Sequence, residues 1–284
     1  MNDPLADRVP LLSVILPASN EEALIGACLG AVLATDWSAP FEVVVVANGC
    51  RDRTVSVARA MASDFAARGC ALRVLDLAAG GKLGALNAGD AAARADVRVY
   101  LDADVILGRR VLPELHAALD AAAPRYASGT VRIPRPETLA SRAYARIYTQ
   151  VPFMTHGVPG CGLFATNAAG RARWGDWPDI ISDDTFVRLN FAPGERHEVA
   201  AAYDWPLVEG WSNLVRVRRR QDIGVREVAK LYPELMRNDD KPAFPIRRKI
   251  ALALRDPLGF AVYAGVALLV RLTPGQAADW SRGR

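Results

Sequence analysis

Two aspartates one residue apart, Asp102 and Asp104, end the apolar run Val99-Tyr100-Leu101. Side chains alternate faces along a strand, so both carboxylates can point the same way where a strand ends. Crowded there with no base nearby in the sequence, they repel each other. A divalent cation relieves that repulsion, and a hard one such as Mg²⁺ takes carboxylate and phosphate oxygens together. The pair reads as a metal–diphosphate site, against the plainer reading of two solvated aspartates in a turn.

Other reactive types say less in isolation. Asp183 and Asp184 open a short amphipathic segment with Phe186, Val187 and Leu189. Adjacent acids at a helix start usually serve the helix dipole, and become a general base only where that start meets a substrate. Gly80-Gly81-Lys82 lacks the rest of a P-loop, because Leu83 stands where Ser or Thr is needed and Leu77 where Gly is needed. No Gly-x-Gly-x-x-Gly follows the first apolar run, which removes the dinucleotide fingerprint. In Gly160-Cys161-Gly162 the cysteine has no partner nearby in the sequence, so small residues lining a substrate loop are the better reading. His156 and His197 are isolated. Cys28, Cys50, Cys70 and Cys161 make no Cys-x-x-Cys pair and no zinc pattern with the histidines.

The elements that must position these groups can be read from composition. Residues 11–16 form a buried strand stopped by Pro17. Asn20 is an N-cap, with Glu21 and Glu22 in the first turn of a helix reaching Thr35. The β-branched run at 41–46 is a central strand that breaks at Asn48-Gly49-Cys50-Arg51-Asp52, and Thr54 caps a second helix. A third strand at 72–77, a third helix opened by Gly80-Gly81-Lys82 and a fourth strand at 97–101 follow. This alternation means βαβ units, an α/β fold with a mostly parallel central sheet flanked by helices. Ligands of such sheets bind outside the carboxyl ends of the strands. The polar loops at 17–22, 48–52, 80–82 and 102–104 then share one edge. Beyond them the pattern predicts a helix over 109–122, a strand over 126–133, a helix over 138–150 and a strand over 163–166.

The chain has 284 residues, half of them apolar, and a net charge of +4, which is the composition of a folded globular protein. Cations gather at Arg216, Arg218, Arg219 and Arg220, and at Arg247-Arg248-Lys249. Such clusters suit phosphates or anionic lipid; sparse aromatics argue against nucleic acid. The apolar stretch at 258–270 gives about 20 Å of helix, short of a bilayer span. It reads either as an interfacial helix with a basic flank or as part of a buried helix pair. The acidic, proline-containing N-terminus has no apolar signal segment. A reducing cytoplasmic compartment, with peripheral contact at the inner face of the cell membrane, is the expectation.

Taken in order, the motifs are specific: Pro17-Ala18-Ser19-Asn20-Glu21-Glu22, Ala47-Asn48-Gly49-Cys50-Arg51-Asp52, Gly81-Lys82-Leu83-Gly84-Ala85-Leu86-Asn87-Ala88-Gly89, Asp102-Ala103-Asp104, Gly160-Cys161-Gly162 and Ser182-Asp183-Asp184. The series resembles the family 2 inverting glycosyltransferases of GT-A fold, over about residues 11–220. The resemblance implies a UDP- or GDP-linked sugar donor and Mg²⁺ or Mn²⁺. It assigns Pro17, Ala18, Asn20, Glu22 and Asn48 to the nucleoside, and Lys82, Asn87, Asp102 and Ala103 to the nucleotide-sugar. Asp104, with Asp102, is then the metal ligand. Asp184, with Asp183, supplies the base, and Gly160, Cys161 and Gly162 form an acceptor loop. Arg218 and Arg219 stand where the family often closes a Gln-x-x-Arg-Trp loop over the diphosphate. The tryptophan is absent here, and Ala47-Asn48-Gly49-Cys50 replaces the usual Asp-Asp-Gly-Ser. Loss of the Gln-x-x-Arg-Trp motif fits transfer of single sugars rather than polymer synthesis.

The expected organisation is a GT-A domain over 1–240, its nucleotide half at 11–105 and its acceptor half at 106–240, followed by a basic, apolar helical tail at 241–284. The expected acceptor is a sugar or lipid-linked sugar, with membrane contact through residues 246–272. Two rivals stand beside this reading. One is a sugar-nucleotide nucleotidyltransferase, which needs a glycine-rich loop after the first strand. The other is a non-catalytic binding module on the same scaffold.

Overall fold

A computed structural model describes residues 9–78 and 81–273. Most of the arm expected at 1–10, Gly80 of the Gly80-Gly81-Lys82 motif, and the last residues of the tail lie outside that range. The described chain divides into two compact units. The first takes residues up to 132 with 160–179 and 194–205; the second takes 133–159, 180–193 and 206 onward.

The first unit is built on one eight-stranded sheet of β1 (Leu12–Ala18), β2 (Phe41–Asn48), β3 (Ala71–Leu77), β4 (Val97–Leu101), β5 (Ile106–Leu107), β6 (Tyr126–Arg132), β7 (Leu163–Thr166) and β8 (Arg196–Asp204). Their order is β3-β2-β1-β4-β7-β6-β8-β5. The first four are parallel; β7 runs antiparallel to both β4 and β6, which sit on either side of it.

Every residue of β2 is buried, because helices cover both faces. Alternation along the strand divides its valines. Val43 and Val45 join the large core with α1 (Ile25–Leu33), α2 (Thr54–Ala60), α3 (Ala62–Ala67) and α5 (Val111–Leu119), while Val44 and Val46 pack with Ala85 of α4 (Lys82–Ala92). Pro17, expected to stop β1, lies inside it. The β1–β4 ladder has already ended at Ile15, so the missing N–H falls beyond the last pair on that side. A further helix, α8 (Ala168–Arg171), follows β7.

One acid is placed deep in this sheet. The Glu42 side chain is fully buried and accepts from Ser13 Oγ (2.6 Å), the Arg94 N–H (2.6 Å), Arg94 Nε (3.0 Å) and Arg73 (3.2 Å). Burial alone would raise its carboxyl, but these donors and the Arg73 charge hold it below the usual carboxylate range.

The second unit is helical: α6 (Leu139–Tyr148), α7 (Pro152–Thr155), α9 (Asp183–Leu189), α10 (Trp211–Leu231), α11 (Ile246–Arg255) and α12 (Pro257–Leu272), with a 3₁₀ turn at Pro233–Asn238. Thr138 caps α6, its Oγ1 accepting from the Ser141 N–H at 3.3 Å. The last described helices, α11 and α12, belong to this unit. α12 packs against α6, and Arg146 grips Asp256, the N-cap of α12, at 2.6 and 3.0 Å. α11 leaves Ile246, Ile250 and Leu254 exposed, beside Arg247. Among the described residues no helix is long and apolar enough to cross a membrane.

Candidate active site

At the carboxyl ends of β1 and β2 the two polar loops are stitched together. Asn20 Oδ1 accepts from the Arg51 N–H (2.6 Å), and the Glu22 carboxylate accepts from the Arg53 N–H (3.0 Å) and Nε (3.2 Å). In return the Glu21 N–H donates to Thr54 Oγ1 (2.6 Å) and the Glu22 N–H to Asp52 (3.1 Å). This changes the expected start of α1. Asn20 is not its N-cap, and no acid lies in its first turn; the helix begins at Ile25. Asn20 instead adopts φ +51, a left-handed backbone that asparagine tolerates better than most residues. Thr54 is likewise the first residue of α2 rather than its cap. Asp52 Oδ1 accepts both its N–H (3.0 Å) and its hydroxyl (2.5 Å).

Asn48, the last residue of β2, is buried, and its Oδ1 makes no hydrogen bond among the described residues. A buried acceptor without a donor is costly, and a ligand N–H is the group that would satisfy it.

Asp102 and Asp104 follow β4. The Asp102 N–H donates to the Gly162 carbonyl at 2.8 Å, and the Val105 N–H to the Asp102 carbonyl at 3.1 Å, closing the turn that buries Ala103 between the two acids. Beneath it the Cys28 Sγ–H donates to the Asp102 carbonyl at 3.7 Å. Burial, then the Asp104 and Asp102 carboxylates, push that thiol well above its ordinary value. Lys82 opens α4 and sets its ammonium 2.9 Å from Asp102 Oδ1. Asn87, one turn on, is a brace: its Oδ1 accepts from the Trp177 N–H at 2.8 Å.

The Gly160-Cys161-Gly162 loop packs under the same turn. Gly160 and Gly162 have φ +66 and +67. A Cβ at Gly160 would overlap the Tyr126 hydroxyl, and one at Gly162 would lie 2.8 Å from Val105 and 2.9 Å from Trp205. Cys161 is buried and its carbonyl accepts from the Tyr203 hydroxyl at 2.9 Å. The loop therefore supports the aspartate turn through backbone, with the thiol withdrawn from solvent.

The first unit thus gathers Pro17, Ala18, Asn20, Glu22, Asn48, Lys82, Asn87, Asp102, Ala103, Asp104, Gly160, Cys161 and Gly162. Asp183, Asp184, Arg218 and Arg219 belong to the second. There Asp184 Oδ1 accepts from the Ser182 hydroxyl and the Thr185 N–H, each at 2.7 Å, while its Oδ2 makes no hydrogen bond among the described residues. Asp183 is buried. Asp184, Arg218 and Arg219 line one cavity. Arg218 is bound to Asp222 at 2.8 Å, and despite its burial the guanidinium is held above its ordinary range beside that carboxylate.

Sequence reasoning missed a second polar hub in the first unit. Asp90 accepts from Tyr100 Oη (2.8 Å), Trp177 Nε1 (2.6 Å) and Arg171 Nε (2.9 Å). Its only signal is an acid on the buried side of α4.

The donor set for a metal is two carboxylates one residue apart. Among the described residues no group of three or more His, Cys, Asp or Glu side chains converges. Mg²⁺ and similar ions are commonly held by one or two carboxylates plus substrate phosphates. Asp102 and Asp104 fit an ion that shares its coordination with a diphosphate.

A curated relative, the uncharacterized glycosyltransferase EpsJ of Bacillus subtilis (strain 168), is 34% identical over 96 residues, 34% of this chain and 26% of that protein. The chain thus matches about a quarter of that relative's length. Among solved structures, the mannosyltransferase PcManGT from Pyrobaculum calidifontis, in complex with GDP-Man and Mn²⁺, superposes with a TM-score of 0.60 at 23% identity, covering 95% of this chain and 78% of that one. S. aureus TarS 1–349 with UDP-GlcNAc gives 0.54 at 16% identity, covering 96% and 95%. Glucosyl-3-phosphoglycerate synthase from Mycobacterium tuberculosis, with Mn²⁺, UDP-Glc and glycerol 3-phosphate, gives 0.54 at 17%, covering 79% and 80%. At these identities the likeness is one of fold, the GT-A fold. The family described as glycosyl transferase family 2 matches residues 13–172, from β1 through the aspartate turn and the glycine loop to α8, and the chain belongs to it.

Proposed function

We propose that the chain is an inverting, metal-dependent glycosyltransferase that moves a single sugar from a UDP- or GDP-sugar to a hydroxyl acceptor. The observation that carries this is the meeting of Lys82, at the start of α4, with the Asp102–Asp104 turn at the end of β4. A cation, a helix N-terminus and two hard carboxylates at one sheet edge are what a nucleotide diphosphate requires. The complexes of PcManGT with GDP-Man and Mn²⁺, and of TarS with UDP-GlcNAc, support the same donor class.

In this mechanism the stitched loops after β1 and β2 hold the nucleoside, and Asn48 Oδ1 accepts an N–H of the base. Lys82 leaves Asp102 for a phosphate oxygen. Asp104 and Asp102 would hold Mg²⁺ or Mn²⁺, which would supply positive charge to the departing diphosphate. Asp184, its Oδ1 fixed by Ser182 and Thr185, takes the acceptor proton on Oδ2. The acceptor oxygen bonds to the anomeric carbon from the face opposite the diphosphate, the bond to the phosphate oxygen breaks, and the nucleoside diphosphate leaves. No covalent enzyme intermediate is needed.

The acceptor is a sugar or lipid-linked sugar, and the chain works as a peripheral protein at the cytoplasmic face of a membrane. The exposed Ile246, Ile250 and Leu254, flanked by Arg247, support that position.

The test is transfer or donor hydrolysis with Mn²⁺ across a panel of UDP- and GDP-sugars, for the wild type and Asp184→Asn. The variant is expected to bind donor normally and lose about 10²-fold or more in transfer. Normal turnover in the variant removes Asp184 from the role; no donor binding by the wild type removes the proposal.

A further inference from the structure

The second unit encloses a cavity of about 680 Å³, within the range of small-molecule sites. Its lining is of two kinds. Arg218, Arg219, Arg226, Lys241 and Arg271 bring five cations against only two carboxylates, Asp184 and Asp222. One of those acids is already committed, since Asp222 pairs with Arg218 at 2.8 Å. Much of the remaining wall is apolar, with Val151, Phe153, Ile223, Val225, Phe244 and Val270, beside the tyrosines Tyr148 and Tyr263.

A cavity for a neutral sugar alone would be lined by neutral hydrogen-bonding groups. Here Ser182, Thr185 and Gln221 supply few of them beside an excess of positive charge. Arg226 and Arg271 are exposed, while Arg218, Arg219 and Lys241 are partly buried, and partly buried cations are unfavourable unless an anion joins them. Two details set Arg219 and Lys241 apart. Nε of Arg219 is buried without a hydrogen-bond partner among the described residues. Burial, then the nearby Arg188 charge, holds the Lys241 ammonium below its ordinary range even with Asp239 at 3.8 Å.

The cavity's lining comes close in sequence to the chain's exposed apolar residues. Lys241 and Phe244 lead directly into α11, which exposes Ile246, Ile250 and Leu254, and Val270 and Arg271 lie on α12.

We propose that this cavity is the acceptor site, and that the acceptor is an anionic amphiphile: a sugar joined through phosphate or diphosphate to a lipid chain. The phosphate meets Arg219, Arg226 and Lys241, the chain lies along Phe153, Ile223, Phe244 and Val270, and the sugar hydroxyl reaches Asp184. This assignment rests on Asp184 being the base of the transfer reaction.

The test uses the full chain and three probes below their aggregation concentrations: farnesyl phosphate, farnesol and inorganic phosphate, titrated by calorimetry. Farnesyl phosphate is expected to bind about tenfold or more tighter than either of the others, because both halves of the cavity contribute. Lys241→Met and Phe244→Ser are each expected to weaken it by about fivefold or more, and Lys241→Arg to keep it. Equal affinity for farnesyl phosphate and inorganic phosphate means a plain phosphate site and overturns the proposal. Equal affinity for farnesyl phosphate and farnesol means a purely apolar surface and overturns it too. Unchanged binding in both weakening variants puts the amphiphile elsewhere on the protein, which also overturns it. The comparison of probes on the wild type stands even if a variant fails to fold. Binding of UDP- and GDP-sugars with Mn²⁺, measured on the same sample, separates the two claims. Donor binding without farnesyl phosphate binding defeats this inference alone; the reverse defeats the donor reading alone.

Discussion

The Lys82 ammonium sits 2.9 Å from Asp102 Oδ1, joining the first residue of α4 to the residue that follows β4. The lysine stands where a divalent ion would have to share the carboxylate. Replacing it acts in opposite directions on the two ligands. Lys82→Met is expected to bind Mn²⁺ alone several-fold more tightly, since a competing cation is gone, and UDP or GDP about tenfold more weakly, since a charge-assisted contact to phosphate is lost. Calorimetric titration of each ligand separately checks this; unchanged Mn²⁺ affinity would remove the competition.

Glu42 predicts an acid limit to stability. Its carboxyl is held below the unfolded value, so its contribution is present in full above the unfolded carboxylate pKa and is lost as pH falls through the lower, folded one. Glu42→Gln is expected to lower stability by about 2 kcal/mol at pH 7, a modest figure because Arg73 and Arg94 are partly exposed. The deficit should shrink as the pH falls through the folded-state pKa. Urea melts of both proteins across pH 2.5 to 7, a window set by ordinary carboxylate values at about 4, measure the difference; a pH-independent gap counts against the ionised, buried carboxylate.

Gly160 is held in the left-handed region with the Tyr126 hydroxyl where a side chain would begin. Gly160→Ala is expected to lose about 3 kcal/mol or more and to lower Tm by roughly 5–10 °C. A melting temperature within a degree or so of wild type, on that same scale, would mean the loop shifts freely.

The exposed face of α11 predicts lipid binding without any need to truncate the chain. Removal of the tail would strip α12 from α6 and confuse the result. Ile246→Ser, Ile250→Ser and Leu254→Ser together leave the buried Leu252 in place. Flotation with vesicles rich in anionic lipid is expected to retain wild type and release the triple variant, with 1 M salt weakening the wild type as the basic flank is screened. Equal flotation of the two proteins would assign membrane contact to another surface.

The half of the fold that was legible in the sequence is the half whose short runs are rich in Val and Leu. The strands at 41–46, 72–77 and 97–101 are expected and found within two residues; β2 is buried along its whole length, so composition alone marks it, while the half-buried edge strand β3 is marked by its leucines and Val74 between loop signals. β8 escaped because its middle is three alanines, Ala200 to Ala202, after His197 and Glu198, and a register shift in its pairing with β6 breaks the strand period. α10 escaped for the opposite reason: of its 21 residues only Leu214, Gly224 and Val228 are buried, so no apolar stripe announces a helix. In the site, residue types pointed to Asn20 as a cap, while the fold uses it to join two loops. Local chemistry allows both, and only the neighbouring loop, with the Arg51 N–H, decides between them.

α6 and α12 are packing partners in the finished protein but are made far apart in time. At translation rates of about 5–20 residues per second, α6 emerges on the order of ten seconds before the helix that will cover it. Throughout that interval Tyr144, Ile147 and Tyr148, buried in the folded chain, have no α12 to meet. The packing of the second unit therefore cannot be completed until nearly the whole described chain has been made.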